Sequence, residues 1–319
     1  MVVKPRIVVA DLFYEGALEE LRELAEVIYL PQLKSEELSD ILNAERASIL
    51  VVRSTRFSSA LEGANNLSWV IRAGSGVHPD DLTVASSKGI AVSNCPGMNA
   101  VAVAELTLGL ILAIDRNLVA CVNESRSGSF AKKRLIKTSW GLAGRTLGLL
   151  GFGFISQAVA RRAVAFEMEV VAAVRSIAKY ESEARELGVT LVSSHLELPP
   201  RCDVISVHIP YAPENDKLLG EDFFSAMRVG AIFVNTSRAE LIDEAAMRAA
   251  NIRVGLDVVS GTEPASEDLP WKSNLLEWDS AIVTPHIGAS TAQAQEQTCM
   301  EVVRLIGDYL EIGERHNLV

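Results

Sequence analysis

Arg238, Asp257, Glu263 and His286 are the side chains of this sequence best suited to chemistry. Three apolar, β-branched runs precede them: 231–235 before Arg238, 253–256 before Asp257 and Glu263, and 281–284 before His286. In an open α/β sheet, ligands bind outside the carboxyl ends of the strands, so these groups are expected to converge on one crevice. Arg238 can hold a carboxylate in a bidentate fork. His286 can exchange a proton near neutral pH, and a partner carboxylate such as Glu263 favours its charged form.

Residues 145–174 supply the setting for such a site. An apolar run at 146–150 meets Gly151-Phe152-Gly153, passes into an amphipathic segment at 154–167, and returns as a second apolar run at 168–174. Strand, glycine turn, helix and strand form a βαβ unit, the context of dinucleotide binding. Gly151 permits the tight turn, and Gly153 has no Cβ to hold a pyrophosphate away from the backbone. The helix that follows offers free N–H groups and its positive end to the phosphates. Two positions depart from the pattern. Ser156 stands at the third glycine, and Val174-Arg175-Ser176 replaces the acidic residue expected after the second strand.

The elements that must position these groups alternate along the chain. Strands are expected at 7–10, 27–29, 49–52, 69–72 and 90–93, with helices at 16–25, 35–43 and 58–67. That alternation implies a parallel, doubly wound sheet. Asn94-Cys95-Pro96-Gly97 then punctuates the sequence, and the pattern predicts one long helix over 99–126, suited to linking domains or to an oligomer contact. After a polar, basic loop at 127–140, the βαβ unit and further strands at 190–192, 204–208, 231–235, 253–257 and 281–284 are expected to complete a six-stranded nucleotide-binding sheet. Helices are expected at 222–227, 243–249 and 292–311. The fold class is therefore α/β, with two doubly wound domains: residues 1–97 closed by 290–319, and an inserted 98–289 that carries the dinucleotide turn.

Composition excludes several alternatives. The 319 residues are 49% hydrophobic and 22% charged, as for a globular protein with a large core. A formal charge of −11 argues against a nucleic-acid or anionic-membrane partner, each of which needs a basic surface. Lys132-Lys133-Arg134 is a local exception. Cys95, Cys121, Cys202 and Cys299 are far apart and form no CxxC pair, so a reduced, cytoplasmic chain without a structural metal is expected. The longest apolar run, 101–114, contains Glu105 and is too short to span a bilayer.

The motifs together resemble the D-isomer-specific 2-hydroxyacid dehydrogenase family, and within it the catalytic cores of D-3-phosphoglycerate dehydrogenases. The similarity runs nearly end to end. It is carried by Val52-Arg53-Ser54, Arg72-Ala73-Gly74-Ser75-Gly76-Val77, Pro96-Gly97, Val103-Ala104-Glu105-Leu106-Thr107, Gly151-Phe152-Gly153-Phe154-Ile155, Asn235-Thr236-Ser237-Arg238, Asp257-Val258, Thr262-Glu263-Pro264 and Thr284-Pro285-His286-Ile287-Gly288-Ala289-Ser290-Thr291. The resemblance implies a Rossmann cofactor domain inserted into a flavodoxin-like substrate domain. It also implies a homodimer built around the 99–126 helix, and hydride transfer between NAD(P) and a D-2-hydroxy acid or 2-oxo acid.

In that reading His286 exchanges the proton of the substrate oxygen, Glu263 orients the imidazole, and Arg238 binds the carboxylate and polarises the carbonyl. Cofactor contacts are implied at Ser75, Gly151, Gly153, Phe154, Ile155, Arg175, Ser176, Ser237, Asp257 and Gly288. Substrate contacts are implied at Arg53, Ser54, Ser75, Gly76 and Val77. The Glu–His pair argues against the family's formate dehydrogenases. Arg175 and Ser176, where NAD-preferring members carry an aspartate, suit a 2′-phosphate and favour NADP(H). Ala239 stands where the family usually has glycine, and His78, read as a surface residue, where an acidic residue is common. Phosphoglycerate-type substrates come first, with Arg53-Ser54 and the basic 132–134 loop on the phosphate, and glyoxylate or hydroxypyruvate second. With no regulatory domain after residue 319, serine feedback is not expected. The rival from another class is a dinucleotide-sensing protein like the family's corepressors.

Overall fold

The computed structural model describes residues 4–31, 33–130, 132–261 and 270–319. It divides into two compact units, Met1–Asn99 with Ser290–Val319, and Ala100–Ala289. The changeover falls at 99/100, against the 97/98 read from the sequence.

The first unit is built on five parallel strands: β1 (Arg6–Val9), β2 (Glu26–Tyr29), β3 (Ile49–Val52), β4 (Trp69–Arg72) and β5 (Ala91–Asn94). Their order is β2-β1-β3-β4-β5, that of a flavodoxin-like doubly wound sheet. Strand residues read as continuous apolar runs because both faces are covered. Ile7, Val9, Ile49, Val51 and Ile71 pack with Ala17 and Leu21 of one helix and with Val302, Leu305 and Ile306 of another. Val8, Leu50, Val52 and Val70 pack on the opposite face with Leu38, Leu42, Phe57 and Leu61. The helix Ala292–Ile312 thus returns to this unit. Thr291 caps its start by accepting from the Ala294 N–H at 3.1 Å, and Gly313 ends it at φ +76°.

The second unit holds β6 (Thr146–Leu150), β7 (Glu169–Ala173), β8 (Thr190–Val192), β9 (Val204–Val207), β10 (Ile232–Asn235), β11 (Arg253–Leu256) and β12 (Ala281–Val283). All are parallel, in the order β12-β11-β10-β9-β6-β7-β8. The sheet has seven strands, one at each of the seven runs expected from the sequence, so the expected total of six was one short; the three-residue β8 pairs with β7 at the edge. Strand order reverses between β6 and β9, the switch point at which such sheets bind ligands.

The single helix expected over 99–126 is two. Ala100–Asp115 is mostly buried, whereas Leu118–Arg126 has no buried residue. Asn117 separates them in the left-handed conformation, φ +53°, which asparagine tolerates better than most residues. Its Nδ2 donates to the hydroxyls of Thr138 and Ser139 at 2.9 and 3.2 Å, tying the break to the following loop. Asp115, fully buried, anchors that loop. It accepts from the Gly141 N–H at 2.9 Å, the Trp140 N–H at 3.3 Å and the Arg145 guanidinium at 2.9 Å.

Candidate functional site

The turn after β6 fits a dinucleotide phosphate. Gly151 has φ +93°, and a Cβ there would lie 2.8 Å from Ile209 Cγ2 and 3.1 Å from the His208 carbonyl oxygen. Only glycine satisfies both the angle and the contact. Gly153, by contrast, has nothing within 4 Å of an added Cβ, so its place is open for an approaching ligand. It caps the helix Phe154–Ala165, whose first N–H groups point out of the turn. Phe154 is exposed and Ile155 half-buried there. Ser156 is buried inside the helix–sheet contact, and its hydroxyl has no hydrogen-bond partner among the described residues. The extra hydroxymethyl is accommodated at the cost of one unsatisfied hydroxyl. After β7, Arg175, Ser176 and Lys179 are all exposed, and the Lys179 ammonium lies 5.2 Å from the Tyr180 ring centroid.

Arg238, Asp257 and His286 follow three neighbouring strands, β10, β11 and β12. Asn235, fully buried at the end of β10, shapes the first loop: its side chain accepts from the Ser237 N–H at 2.9 Å and donates to the Arg238 carbonyl at 2.8 Å. The Ser237 hydroxyl donates to the Ile209 carbonyl. Arg238 is exposed and makes no ion pair among the described residues, with one Nη donating to the Ser237 carbonyl at 2.7 Å. Its guanidinium therefore retains donors for a carboxylate.

Asp257 is buried, and its carboxylate organises the third loop. Oδ1 accepts from the Thr284 hydroxyl at 2.6 Å and the Ile287 N–H at 2.9 Å, and Oδ2 accepts from the Gly288 N–H at 2.7 Å. The Asp257 carbonyl accepts from the His286 N–H at 3.0 Å. These bonds hold His286 at φ +53°, exposed at the end of β12. A Cβ on Gly288 would lie 2.9 Å from Asp257 Oδ2, which accounts for the glycine. Glu263 lies outside the described residues.

His208, at the end of β9, was not among the expected site residues. Its Nε2 lies 2.9 Å from the Ser206 hydroxyl, and its buried Nδ1 has no partner among the described residues. Burial pushes the imidazole down to about 3, so the ring is neutral at physiological pH.

In the first unit, the N–H groups of Ser75, Gly76 and Val77 donate to no protein acceptor among the described residues. The loop is propped instead through other atoms. Asn94 Nδ2 donates to the Ser75 carbonyl at 2.8 Å, and the Ser75 hydroxyl donates to Asn99 Oδ1 at 2.8 Å. Free, consecutive N–H groups at a strand end suit a carboxylate. After β3, Arg53 is half-buried and Ser54 exposed. Asp11 accepts hydrogen bonds from the N–H groups of Arg53, Ser54 and Thr55 and from the hydroxyls of Ser54 and Thr55. Burial alone would raise the Asp11 carboxyl, but those hydrogen bonds together outweigh it and hold it below its ordinary value. His78 caps the helix Pro79–Ser87, its Nδ1 accepting from the Asp80 N–H at 3.2 Å. Among the described residues no cluster of His, Cys, Asp or Glu could hold a metal ion, and no helix is long and apolar enough to cross a membrane.

Residues 108–288 match the family model described as D-isomer specific 2-hydroxyacid dehydrogenase, NAD binding domain. The chain is 37% identical to a D-3-phosphoglycerate dehydrogenase of Methanocaldococcus jannaschii over 91% of this chain and 55% of that protein. It is 36% identical to a hydroxypyruvate reductase of Thermotoga maritima over 88% of this chain and 89% of that protein. It thus spans about half of the phosphoglycerate dehydrogenase and most of the reductase. Among solved structures, it superposes with TM-score 0.83 on an acyclic imino acid reductase in complex with NADPH and D-Arg, 25% identical over 98% of this chain and 99% of that one. With a family model matched over more than half its length, and strand-end arginine, aspartate and histidine loops on a dinucleotide-type sheet, the chain belongs to the D-isomer-specific 2-hydroxyacid dehydrogenase family.

Proposed function

We propose that this chain is an NAD(P)-dependent oxidoreductase acting on the CH–OH group of D-2-hydroxy acids, with phosphoglycerate-type substrates first. The observation that carries the reading is the Asp257-organised loop presenting His286, two strands from Arg238 on the sheet whose switch point bears the Gly151–Gly153 turn. A nicotinamide dinucleotide supplies the hydride chemistry at the substrate C2, held by the Gly151–Gly153 turn and the helix beginning at Phe154. His286 gives its proton to the substrate oxygen on reduction and takes it back on oxidation, with Glu263 as the carboxylate that favours the charged ring. Arg238 binds the carboxylate and polarises the carbonyl, and the N–H groups of Ser75, Gly76 and Val77 take carboxylate oxygens. Purified protein with reduced cofactor and a panel of 2-oxo acids tests this by absorbance. A dinucleotide-sensing protein would bind cofactor and turn nothing over.

A second substrate reading, glyoxylate or hydroxypyruvate, has one observation in its favour. The N–H and hydroxyl donors of Ser54 are engaged by Asp11, which leaves the Arg53 guanidinium as the group that loop offers a phosphate. Oxidation of 3-phosphoglycerate compared with reduction of glyoxylate and hydroxypyruvate separates the two. For the cofactor, exposed Arg175 and Ser176 after β7 support NADP(H), as does the NADPH bound by the imino acid reductase. Steady-state kinetics with both cofactors should give a kcat/KM for NADPH at least equal to that for NADH; a clear NADH preference rejects this.

The same reading includes a homodimer and a reduced, cytoplasmic setting, the latter in keeping with four free cysteines. Leu118, Val119 and Val122 are about half exposed on the helix Leu118–Arg126, and Phe130 and Trp140 are 92% and 82% exposed. These exposed apolar side chains support the reading that a second copy covers this helix.

A further inference from the structure

The loop after β4 begins Gly74-Ser75-Gly76. Glycine backbone has little conformational preference of its own, so a loop with two glycines must be held in shape from outside. The bonds that hold it come from the end of β5. The Cys95 N–H donates to the Gly74 carbonyl at 2.9 Å, and Asn94 Nδ2 donates to the Ser75 carbonyl at 2.8 Å. The Ser75 hydroxyl adds a bond of 3.3 Å to the Cys95 carbonyl and one of 2.8 Å to Asn99 Oδ1.

β5 is the outermost strand of its sheet, and the outer N–H and C=O groups of such a strand need a cover. Residues 315–319 supply it, running antiparallel with Leu318 opposite Ser93. The Asn94 N–H donates to the Asn317 carbonyl at 3.1 Å, and the Val319 N–H donates to the Val92 carbonyl at 3.0 Å. The buried Ser93 hydroxyl accepts from Trp69 Nε1 at 3.0 Å and donates to the His316 carbonyl at 2.7 Å. The Arg315 guanidinium lies 5.1 and 5.8 Å from the Tyr309 and Trp69 ring centroids and donates to the Ser68 hydroxyl at 3.2 Å. Asn317, at φ +54°, donates Nδ2 at 3.0 Å to Glu301, which Arg304 grips at 2.7 and 2.8 Å. Asn94 is therefore a junction. Its backbone N–H is held by residue 317, and its side chain holds residue 75.

We propose that residues 315–319 form a latch on the loop after β4, with Asn94 as the positioning residue between them. The latch fixes the end of β5, and Asn94 and Cys95 pass that constraint to the Gly74 and Ser75 carbonyls. The N–H groups of Ser75, Gly76 and Val77 are thereby preorganised for an anion, which lowers the cost of ordering them on binding. That the anion is the substrate carboxylate rests on the reading given above, whereas the latch itself does not.

The test uses the full chain, first without ligand. Val319→Pro removes the donor to Val92 at an exposed edge. Amide exchange, read residue by residue, should quicken about threefold or more at 92–95 and at 73–74, whose N–H groups donate to the Val52 and Arg72 carbonyls. Residues 53–55, bonded to Asp11, should keep their rates. Quickening at 92–95 without 73–74 overturns the proposal, as does no quickening at either. In steady-state kinetics Val319→Pro should raise KM for the 2-oxo acid about fivefold, with kcat and the cofactor KM held. Asn94→Ala should raise the same KM by a similar factor, and the double variant by no more than about twofold beyond it. An unchanged KM, a fall in kcat equal to the rise in KM, or additive losses in the double variant also overturn the proposal. If exchange behaves as stated but no 2-oxo acid is turned over by the unsubstituted protein, the activity reading fails and the latch stands.

Discussion

At the scale of single residues, the groups legible in the sequence were those whose type has few other uses at a strand end. The turn glycines Gly151 and Gly153 and the arginine and histidine after β10 and β12 belong here. What the sequence hid was how they are held. Asn235 and Asp257 were visible as strand-end residues, but their bonds to backbone N–H groups and carbonyls were not, and Asp11 serves a loop 42 residues away, which no spacing rule exposes. Gly288 gives a test of this support. In Gly288→Ala the new Cβ meets Asp257 Oδ2 at 2.9 Å, against a buried carboxylate fixed by three donors. The 284–288 loop must shift, with a loss on the order of 1–3 kcal/mol in denaturant unfolding and a fall in kcat larger than any change in KM. His208 gives a second. Its folded pKa of about 3 lies below the ordinary 6.5, so the unfolded chain binds the extra proton between those values. Its contribution is complete above the ordinary value and is lost as pH falls toward the folded one. Melting temperatures from pH 7 down to 4 should therefore drop more steeply for the unsubstituted protein than for His208→Gln; parallel curves would show a ring that is not buried neutral.

At the scale of elements, the strands were legible because the central ones, such as β3, β6 and β10, are covered on both faces and read as largely apolar runs. The helices were less so. Pro79–Ser87 escaped notice because its buried positions are Asp81 and Ala85, which give no apolar stripe. The break at Asn117 escaped because Asp115-Arg116-Asn117 are helix-compatible residues between two apolar stretches, and the backbone angle and the bonds to Thr138 and Ser139 reveal it. Asp115 makes the neighbouring turn a point of concentrated stability. Asp115→Ala leaves Arg145, whose side chain is 15% exposed, without its anion, and two N–H groups without an acceptor. A loss of about 3–5 kcal/mol is expected from breaking a buried pair. A loss below about 1 kcal/mol would place this pair with exposed ones.

At the scale of the whole molecule, two doubly wound sheets and their sequence order were readable from alternation alone, the strand at 190–192 included, whereas the place of that strand in the second sheet was not. β8 has only three residues, and its place at the edge follows from pairing with β7. The exposed apolar face of Leu118–Arg126 predicts a dimer, to be measured by light scattering. Val122→Asp, on a helix with no buried residue, should leave the melting of the isolated chain little changed and halve the mass; an unsubstituted protein of 34.5 kDa in solution would contradict the dimer. The central claim, proton transfer by His286 on a bound 2-oxo acid, is tested most directly by cofactor oxidation with the substrate that gives the highest rate. Because His286 sits at φ +53°, where asparagine is well tolerated, His286→Asn keeps the loop and removes the exchangeable proton. The account predicts that kcat falls by about 100-fold or more with the melting temperature held. Turnover equal to that of the unsubstituted protein would contradict it.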